Sequence, residues 1–445
     1  MTSFSHRLYP ACITALTLAV LVGCATQGGE QQPSDLAAMR EAMAVVHDRY
    51  VRDVPDDQLM RDALKGMMAG LDPHSAYMDL KEYREFTSDT RGEFGGIGAE
   101  LARDGGRVKV ITPIDDTPAA RAGIQSGDTI ERVDGEAVDG LDLSEVVERI
   151  RGPAGSIVRI TLLRGTAPSF DVELRRDVIR TNPVKAYLED GHIGYARISI
   201  FNERSQDQLV AGIARLKRES GGTLAGFVLD LRNDPGGLLD QAVAVAGDFI
   251  DGGTIVSTRG RNGEITRRFD AEPHGDRLAG TPMIVLINGA SASASEIVAG
   301  ALQDYARASV MGTRSFGKGS VQTIVPLSGK GALRITTDLY YTPSGRSIQA
   351  QGIVPDIAVV PPKEQQIAGA QISREADLRG AFKPSRAGGG SSSSPRADAK
   401  LPPYNATEDS PVDPLVLGTN KDYQLSVALD ALRKGRVAIG ARPRS

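Results

Sequence analysis

The chain has 445 residues, a length that predicts about two to four compact domains. Of these residues 40% are hydrophobic and 24% are charged, a composition that excludes a fibrous or wholly disordered protein. The 52 Lys and Arg residues nearly balance the 56 Asp and Glu residues, and there is no Trp, so no nucleic-acid partner is indicated. Both cysteines, Cys12 and Cys24, lie near the start of the chain, which excludes a zinc knuckle, a CxxC redox site or a disulfide framework elsewhere.

Residues 1–23 have the features of a secretory signal peptide. Arg7 precedes an apolar run that is too short to span a bilayer as a mature helix. The run ends in Leu21-Val22-Gly23-Cys24, which resembles the lipobox of bacterial lipoproteins. That resemblance implies that residues 1–23 are removed and that Cys24 is acylated. An ordinary signal peptide with an incidental cysteine is the alternative.

The residue after the cysteine bears on the location. In a Gram-negative cell, an Asp there would indicate retention at the inner membrane, and this chain has Ala25. We therefore expect a lipid anchor in the outer rather than the inner membrane, with the body of the protein in the periplasm. The polar residues 24–34 are predicted to form a tether between the anchor and the folded chain.

Residues 35–90 are predicted to form a small helical module. Apolar residues recur there at helical spacing in two stretches, and the second ends before Pro73, because a proline disfavours helix at the preceding residue. The first stretch contains Leu36, Met39, Met43, Val46 and Tyr50, and the second contains Leu59, Ala63, Met67, Met68 and Leu71.

Residues 92–178 have a different pattern, with short β-like runs between turns and one helical stretch over 143–150. This segment resembles a bacterial PDZ domain through Gly95-Gly96-Ile97-Gly98, Pro118-Ala119-Ala120-Arg121-Ala122-Gly123-Ile124, Gly127-Asp128 and Val133-Asp134-Gly135. The resemblance implies that the loop of Gly95, Gly96, Ile97 and Gly98 holds the terminal carboxylate of a peptide through backbone amides, which glycine leaves accessible.

Residues 180–360 alternate predicted strands and helices. The apolar runs 227–231 and 283–287 are typical of strands that are buried on both faces. Each is followed by a turn-forming segment and then by an apolar helix, over 238–250 and 294–305. This order predicts a parallel sheet with helical crossovers, in which sites lie in loops beyond the carboxyl ends of strands.

Three segments complete the predicted organisation. Residues 361–383 are expected to be a helical extension of the core. Residues 384–415 are expected to be a flexible linker, because they contain runs of glycine and serine. Residues 416–445 are expected to form a C-terminal amphipathic helix and tail, because Leu425, Ala428, Leu429 and Leu432 recur at helical spacing.

Several familiar catalytic patterns are excluded. No histidine lies in a loop after a predicted buried strand, so a Ser-His-Asp triad is not indicated, and there is no His-Glu-x-x-His zinc motif. Residues 312–319 almost form a phosphate-binding loop, but Gly319 stands where a Mg²⁺-binding hydroxyl is needed, and a strand rather than a helix follows. We therefore expect no metal and no cofactor.

A serine-rich turn and a glycine-flanked lysine remain as candidates. Taken alone, Ser293 and Glu296 predict a capping box, and Lys318 predicts an exposed hairpin turn. Taken together, they favour a Ser-Lys dyad, in which a neutral amine activates the serine hydroxyl. Gln322 would then orient the amine, and the amide of Ala294, at the start of the next helix, would face the oxyanion.

These motifs resemble those of the carboxyl-terminal processing peptidases, also called tail-specific proteases. The match covers roughly residues 36–360 and includes residues 71–75, 94–98, 230–237, 291–296, 316–322, 342–346 and 352–356. The resemblance implies an α/β, crotonase-like serine protease core, into which a mixed β/α PDZ domain is inserted after the small N-terminal helical module.

The resemblance also implies residue roles. Ser293 would be the nucleophile, Lys318 the base and Gln322 the support of the lysine. The oxyanion hole would be formed by Ala294 and by one of Gly236 or Gly237, and the choice between the two glycines stays open.

We therefore predict a cell-envelope serine endopeptidase that cleaves proteins near their C-termini, with the PDZ domain recognising the substrate tail or gating the site. The expected partners are proteins or peptides with free C-termini, and the membrane through the lipid on Cys24; a homo-oligomer and an adaptor lipoprotein both stay open. The alternative is a catalytically inert, lipid-anchored PDZ adaptor, which would be expected to have lost Ser293, Lys318 or Gln322.

Overall fold

The computed structural model describes residues 35–104, 106–114, 116–190, 192–367, 373–383 and 411–436. The chain divides into two compact units, one ending at Met60 and one beginning at Arg61. Helix α1 (Asp35–Arg49) lies in the first, and α2 (Asp56–Ala69) runs across the division. None of the described helices is both long enough and apolar enough to cross a membrane. The predicted signal peptide and tether lie outside the described residues.

A six-stranded sheet forms the centre of the larger unit. In spatial order its strands are β10 (Val184–Glu189), β11 (Ile193–Ile198), β12 (Gly226–Asp230), β15 (Met283–Ile287), β16 (Ser309–Gly312) and β19 (Ile357–Ala358). β10 is antiparallel to β11, and every other neighbouring pair is parallel. All residues of β12 and β15 are buried, which is why both appear in the sequence as continuous apolar runs.

Helices cover both faces of this sheet. On one face, Leu229 and Val285 belong to a hydrophobic cluster with α6 (Ser205–Glu219), α7 (Leu239–Gly247) and α8 (Ala294–Asp304). Because successive strand residues point to opposite faces, Val228 and Ile284 pack on the other side. There they contact α9 (Tyr423–Arg433), whose buried residues are Gln424, Leu425, Ala428, Leu429 and Leu432.

A second sheet is largely antiparallel. It contains β1 (Ala76–Met78), β18 (Gly331–Tyr341), β13 (Gly253–Arg259) and β14 (Ile265–Ala271) in that order, and β17 (Ser320–Leu327) also pairs with β18. β1 corrects the prediction that residues 35–90 are a purely helical module. Its three residues pair with Arg334, Leu333 and Ala332, so the sheet edge, rather than local periodicity, specifies this strand. Helix α3 (Leu80–Thr90) follows it.

The domain inserted after α3 has its own sheet and its own core. The sheet order is β3 (Ala99–Asp104), β4 (Arg107–Pro113), β5 (Thr129–Val133), β7 (Ile157–Leu163) and β8 (Phe170–Arg175), with β6 (Glu136–Ala137) beside β5. Helices α4 (Pro118–Arg121) and α5 (Leu143–Ile150) pack against it through Ala119, Val146 and Ile150. A ribbon of β2 (Glu93–Gly96) and β9 (Asp177–Arg180) leads into and out of the domain.

Two predictions for the C-terminal region are wrong. Within the described part of residues 361–383 there is no α-helix, only the 3₁₀ turns Lys363–Gln365 and Glu375–Asp377. The first is followed by Gln366, whose extended backbone pairs with Val412 instead of continuing a helix. The predicted linker 384–415 also ends earlier than expected, because Val412 is buried and pairs with Gln366. Residues 384–410 lie outside the described chain.

Candidate active site

Ser293 lies at the start of α8, in the turn beyond the carboxyl end of β15. Its backbone has φ +54° and ψ −109°, a conformation that is strained for a residue other than glycine. The neighbouring serines stabilise the turn: the Ser291 hydroxyl donates to the Leu231 carbonyl at 2.7 Å, and the Ser295 hydroxyl donates to the Asp234 carbonyl at 3.1 Å. Both are fully buried, whereas Ser293 is 9% exposed.

A single buried carboxylate joins this turn to the lysine loop. Oε2 of Glu296 accepts the backbone amide of Ser293 at 2.8 Å and that of Lys318 at 2.9 Å. Oε1 accepts the Ser315 hydroxyl at 2.5 Å and the Gly317 amide at 2.7 Å. Burial raises the pKa of Glu296 to about 7, and the four hydrogen bonds oppose that rise. Glu296 therefore fixes the backbone of Ser293 next to the backbone of Lys318.

The amine of Lys318 lies in an environment that disfavours its charged form. Burial lowers the pKa of Lys318, and the nearby cation Arg334 lowers it further. The carboxylates of Glu375, Glu296 and Asp72 act in the opposite direction but do not reverse the shift. A larger fraction of this amine is therefore neutral at a given pH than in an exposed lysine.

The glycines beside Lys318 are required by close contacts. Gly317 has φ +98°, in the left-handed region. A Cβ on Gly319 would lie 2.4 Å from the amide nitrogen of Gln349, so no larger residue fits there without a shift of the backbone.

Gln322 does not contact the lysine in this structure. Its amide nitrogen donates to the Ser320 hydroxyl at 2.8 Å and, at 3.5 Å, to the Thr336 hydroxyl. Among the described residues there is no hydrogen bond between Gln322 and Lys318. The support of the lysine that the resemblance implies would therefore require a different side-chain conformation of Gln322.

The glycine turn beyond β12 packs directly against the serine turn. Gly236 has φ +98°, and a Cβ there would lie 2.6 Å from the Ala292 carbonyl oxygen and 2.9 Å from the Ala294 amide nitrogen. The glycine therefore keeps the Ala294 amide accessible at the N-terminus of α8. The Gly236 amide itself donates to Asp234 at 2.8 Å, whereas no hydrogen bond engages the Gly237 amide within the described residues.

A buried ion cluster supports the start of the same turn. The guanidinium of Arg232 is fully buried and forms hydrogen bonds with Asp230, Asp422 and Gln424. Asp422 and Gln424 belong to the C-terminal segment, and sequence reasoning did not associate them with the site. No local pattern could have done so, because about 190 residues separate these partners.

The predicted carboxylate loop of the inserted domain is divided between a strand and a turn. Gly95 and Gly96 belong to β2 and pair with β9, whereas Ile97 and Gly98 form the turn into β3. The Thr117 hydroxyl lies beside the turn, where its one proton is shared between the Ile114 carbonyl at 2.6 Å and the Gly98 carbonyl at 2.9 Å. β3 is an edge strand of its sheet, so a further strand can be added beside it.

Sequence reasoning assigned Glu296 only to helix capping. A glutamate in an otherwise apolar helix was the available signal, because a buried carboxylate requires hydrogen-bond partners. Cys24 lies outside the described residues. Among the described residues no cluster of His, Cys, Asp and Glu could hold a metal ion.

The chain matches three protein-family models. Residues 192–359 match peptidase family S41, residues 110–164 match a PDZ domain, and residues 20–82 match the N-terminal domain of the activating protease CtpB. These matches agree with the core, with the inserted domain and with the N-terminal segment of this chain.

Individual relatives give a consistent result. A carboxy-terminal-processing protease of Bartonella bacilliformis is 48% identical over 372 residues, which cover 82% of this chain and 85% of the relative. The carboxy-terminal processing protease CtpA of Bacillus subtilis is 33% identical over 321 residues, covering 72% and 68%. Among solved structures, a photosystem II D1 C-terminal processing protease is 32% identical, with 73% of this chain and 92% of that chain covered and a TM-score of 0.44.

Proposed function

The chain belongs to the carboxy-terminal-processing proteases of peptidase family S41, and we propose that it is a serine endopeptidase of the cell envelope with a Ser-Lys-Gln site. The observation that carries this proposal is the Glu296 carboxylate, one oxygen of which accepts the amides of both Ser293 and Lys318. A strained serine and a buried lysine are thereby kept close together, which is the requirement of a dyad.

The proposed reaction begins with Ser293. Its Oγ attacks the scissile carbonyl of the substrate and gives its proton to the neutral amine of Lys318, which burial makes available. Lys318 then protonates the leaving amine as the acyl-enzyme forms. Lys318 next takes a proton from the water that hydrolyses the acyl-enzyme, and returns it to Ser293.

The developing oxyanion is assigned to the amides of Ala294 and Gly237. Ala294 is the first residue of α8, where backbone amides lack partners within the helix. Gly237 is preferred to Gly236, because the Gly236 amide already donates to Asp234. In this proposal Gln322 leaves Ser320 and orients the amine of Lys318 without adding a charge.

The proposal includes a crotonase-like architecture for the core. The parallel strands β11, β12, β15 and β16, with α7 and α8 packed on one face, support this assignment. It also includes recognition of the substrate C-terminus by the PDZ domain, either as a binding site or as a gate. The exposed edge of β3 beside the turn at Ile97 and Gly98 supports peptide binding there.

The location is proposed from the sequence alone. The lipobox ending in Cys24 supports an outer-membrane lipid anchor and a periplasmic body. Self-association or an adaptor lipoprotein as a partner is compatible with this location.

The test is turnover of an unfolded protein substrate with a free C-terminus, measured with labelling by a serine-directed fluorophosphonate. We expect Ser293→Ala and Lys318→Ala each to lower kcat by about 10⁴-fold or more, and the double variant to be no worse, because the two residues act as one unit. Lys318→Arg should not restore activity, since a guanidinium stays protonated. Gln322→Ala should retain more activity than either.

The matched control is Lys330→Ala, in the exposed turn between β17 and β18, which should leave turnover unchanged. Substantial turnover in Lys318→Ala would exclude the dyad. An inactive and unlabelled wild type that still binds peptides would favour the inert adaptor instead.

A further inference from the structure

A second buried carboxylate, that of Glu375, supports the lysine loop through a glutamine side chain. Glu375 is fully buried, and its Oε1 accepts the side-chain amide of Gln349 at 2.8 Å. The carbonyl oxygen of the same Gln349 side chain accepts the backbone amide of Gly319 at 2.9 Å. The residues on both sides of Lys318 are therefore fixed by buried carboxylates, one directly and one through Gln349.

The other oxygen of Glu375 pairs with a histidine. Nε2 of His74 lies 2.7 Å from Oε2 of Glu375, and the His74 side chain is only 14% exposed. The backbone of His74 is also fixed, because its amide donates to Asp72 at 2.9 Å and its carbonyl accepts from Arg334 at 3.0 Å. The backbone that carries the imidazole is therefore held in place by contacts other than Glu375.

The two members of this pair come from opposite ends of the larger unit. His74 lies in the segment before β1, and Glu375 lies in the 3₁₀ turn Glu375–Asp377. Both are outside residues 192–359, which match the peptidase model. The catalytic core therefore receives this support from flanking segments, including one of the motifs that suggested the family, residues 71–75.

The pair also affects the charge near the amine of Lys318. The Glu375 carboxylate favours the ammonium form of Lys318, as do Glu296 and Asp72, whereas Arg334 and burial oppose it. The position of the Glu375 side chain therefore affects the amine of Lys318 as well as its loop.

We propose that His74 and Glu375 are positioning residues for Lys318: Glu375 holds the loop of Lys318 through Gln349, and His74 fixes the Glu375 side chain. This inference rests on the proposed function, because it assumes that Lys318 is the base. It makes two segments outside the matched peptidase region necessary for placing that base.

The test is the pH dependence of kcat and kcat/KM in the full-length chain. Glu375→Gln keeps an acceptor for Gln349 but removes a carboxylate that favours the ammonium form of Lys318, so it should retain kcat and move the acid limb to lower pH. Glu375→Leu also removes the acceptor and should lower kcat by up to about 10²-fold, because the base is displaced. His74→Gln keeps a hydrogen-bond donor for Glu375 and should retain kcat, whereas His74→Leu should lower it. Rescue by the polar variants would not result from a loss of packing alone.

The matched control is His274→Gln, which alters an exposed histidine of the same unit and should leave the limb unchanged. An unshifted limb in Glu375→Gln, or full kcat in Glu375→Leu, would overturn the inference. Lys318→Ala is measured in parallel: if it turns over substrate, the proposed dyad itself fails, whereas an inactive Lys318→Ala with fully active Glu375→Leu and His74→Leu variants refutes only the pair.

Discussion

Asp422 forms two hydrogen bonds with the guanidinium of Arg232, at 2.9 Å and 2.6 Å, and both side chains are fully buried. Arg232 follows β12 and begins the turn that carries Gly236. Through this pair the C-terminal segment is joined to the loop that lies against the serine turn. The segment is therefore part of the structural support of the candidate site, as well as a cover for the sheet.

Asp422→Ala should destabilise the fold strongly. It removes one of two carboxylates from a buried guanidinium and leaves the charge only partly compensated, which typically costs about 3–5 kcal/mol in the free energy of unfolding. Urea denaturation measures this change. Asp430→Ala is the matched control, because Asp430 lies with an exposed side chain in the helix that Asp422 caps, and it should have little effect. Equal effects of the two would contradict the buried pair.

Gly236→Ala should abolish turnover while the protein still folds. The new Cβ would lie in front of the Ala294 amide, so we expect a loss of at least about 10²-fold in kcat. Gly222→Ala controls for backbone strain, because Gly222 has φ +110° but no atom within 4 Å of the added Cβ. Gly222→Ala should lose stability only through backbone strain, whereas Gly236→Ala should lose more, because its Cβ also contacts backbone atoms of the serine turn at under 3 Å. Retained activity in Gly236→Ala would remove this turn from the oxyanion hole.

Lys318→Met should stabilise the protein at low pH while abolishing activity. Because burial lowers the pKa of the native lysine, the folded state binds the proton more weakly than the unfolded state does. The buried lysine therefore lowers the free energy of unfolding of the wild type. This loss is complete below the pKa of Lys318 in the folded state, and it decreases as the pH rises toward the pKa of the unfolded state, near 10.4. The advantage of Lys318→Met should decrease with increasing pH in the same window. Paired urea denaturation series measure it, and a pH-independent difference would contradict the shifted pKa.

Binding of peptides should depend on a free C-terminal carboxylate. A charge-assisted bond to backbone amides at the turn before β3 contributes about 1.5–3 kcal/mol, so amidation should weaken binding by roughly 10- to 100-fold. Isothermal titration with one peptide in both forms tests this. Thr117→Val, which loses the hydroxyl beside this turn, should reduce the discrimination. If the free and amidated forms bind equally to the wild type, the domain does not capture carboxylates.

Cys24 should carry the membrane anchor. One acyl chain gives only marginal membrane binding and several make it stable, so the lipidated protein should sediment with membranes. Cells labelled with a fatty-acid analogue should yield labelled wild type, whereas Cys24→Ala should be unlabelled and should fractionate with soluble proteins. Absence of label from the wild type would end the lipoprotein proposal.

The sequence predicted the elements whose signal is local. The buried strand Met283–Ile287 appeared as an apolar run, and the Ser-x-x-Glu pattern at Ser293 marked the start of the following helix. The motifs also predicted the family, which the relatives confirm. That Ser293 and Lys318 approach each other was inferred from their residue types and from the resemblance, because they are 25 positions apart and no periodicity encodes that distance.

What the sequence did not predict depends on distant partners. The strand Ala76–Met78 forms because its backbone pairs with β18. Three residues are too few to show a periodic pattern in the sequence. Glu375 was expected in a helix, but a side chain buried between Gln349 and His74 fixes its turn instead. The role of Asp422 could not be predicted either. Its partner Arg232 is far away in the sequence, and the residues around neither of them indicate an ion pair.

The inserted domain can be removed by protein engineering, because both of its connections to the core run through the ribbon of β2 and β9. Gly96 and Asp177 are directly opposite each other where the ribbon enters the domain. An Asn-Gly type I′ turn joins two such strands with only two residues, so it can replace residues 97–176 and close the chain into a hairpin. The core would lose the hydrogen bond between Gly152 and the Gly95 carbonyl but retain the register of the ribbon. Such an excised protease would report directly whether the domain restrains or assists catalysis.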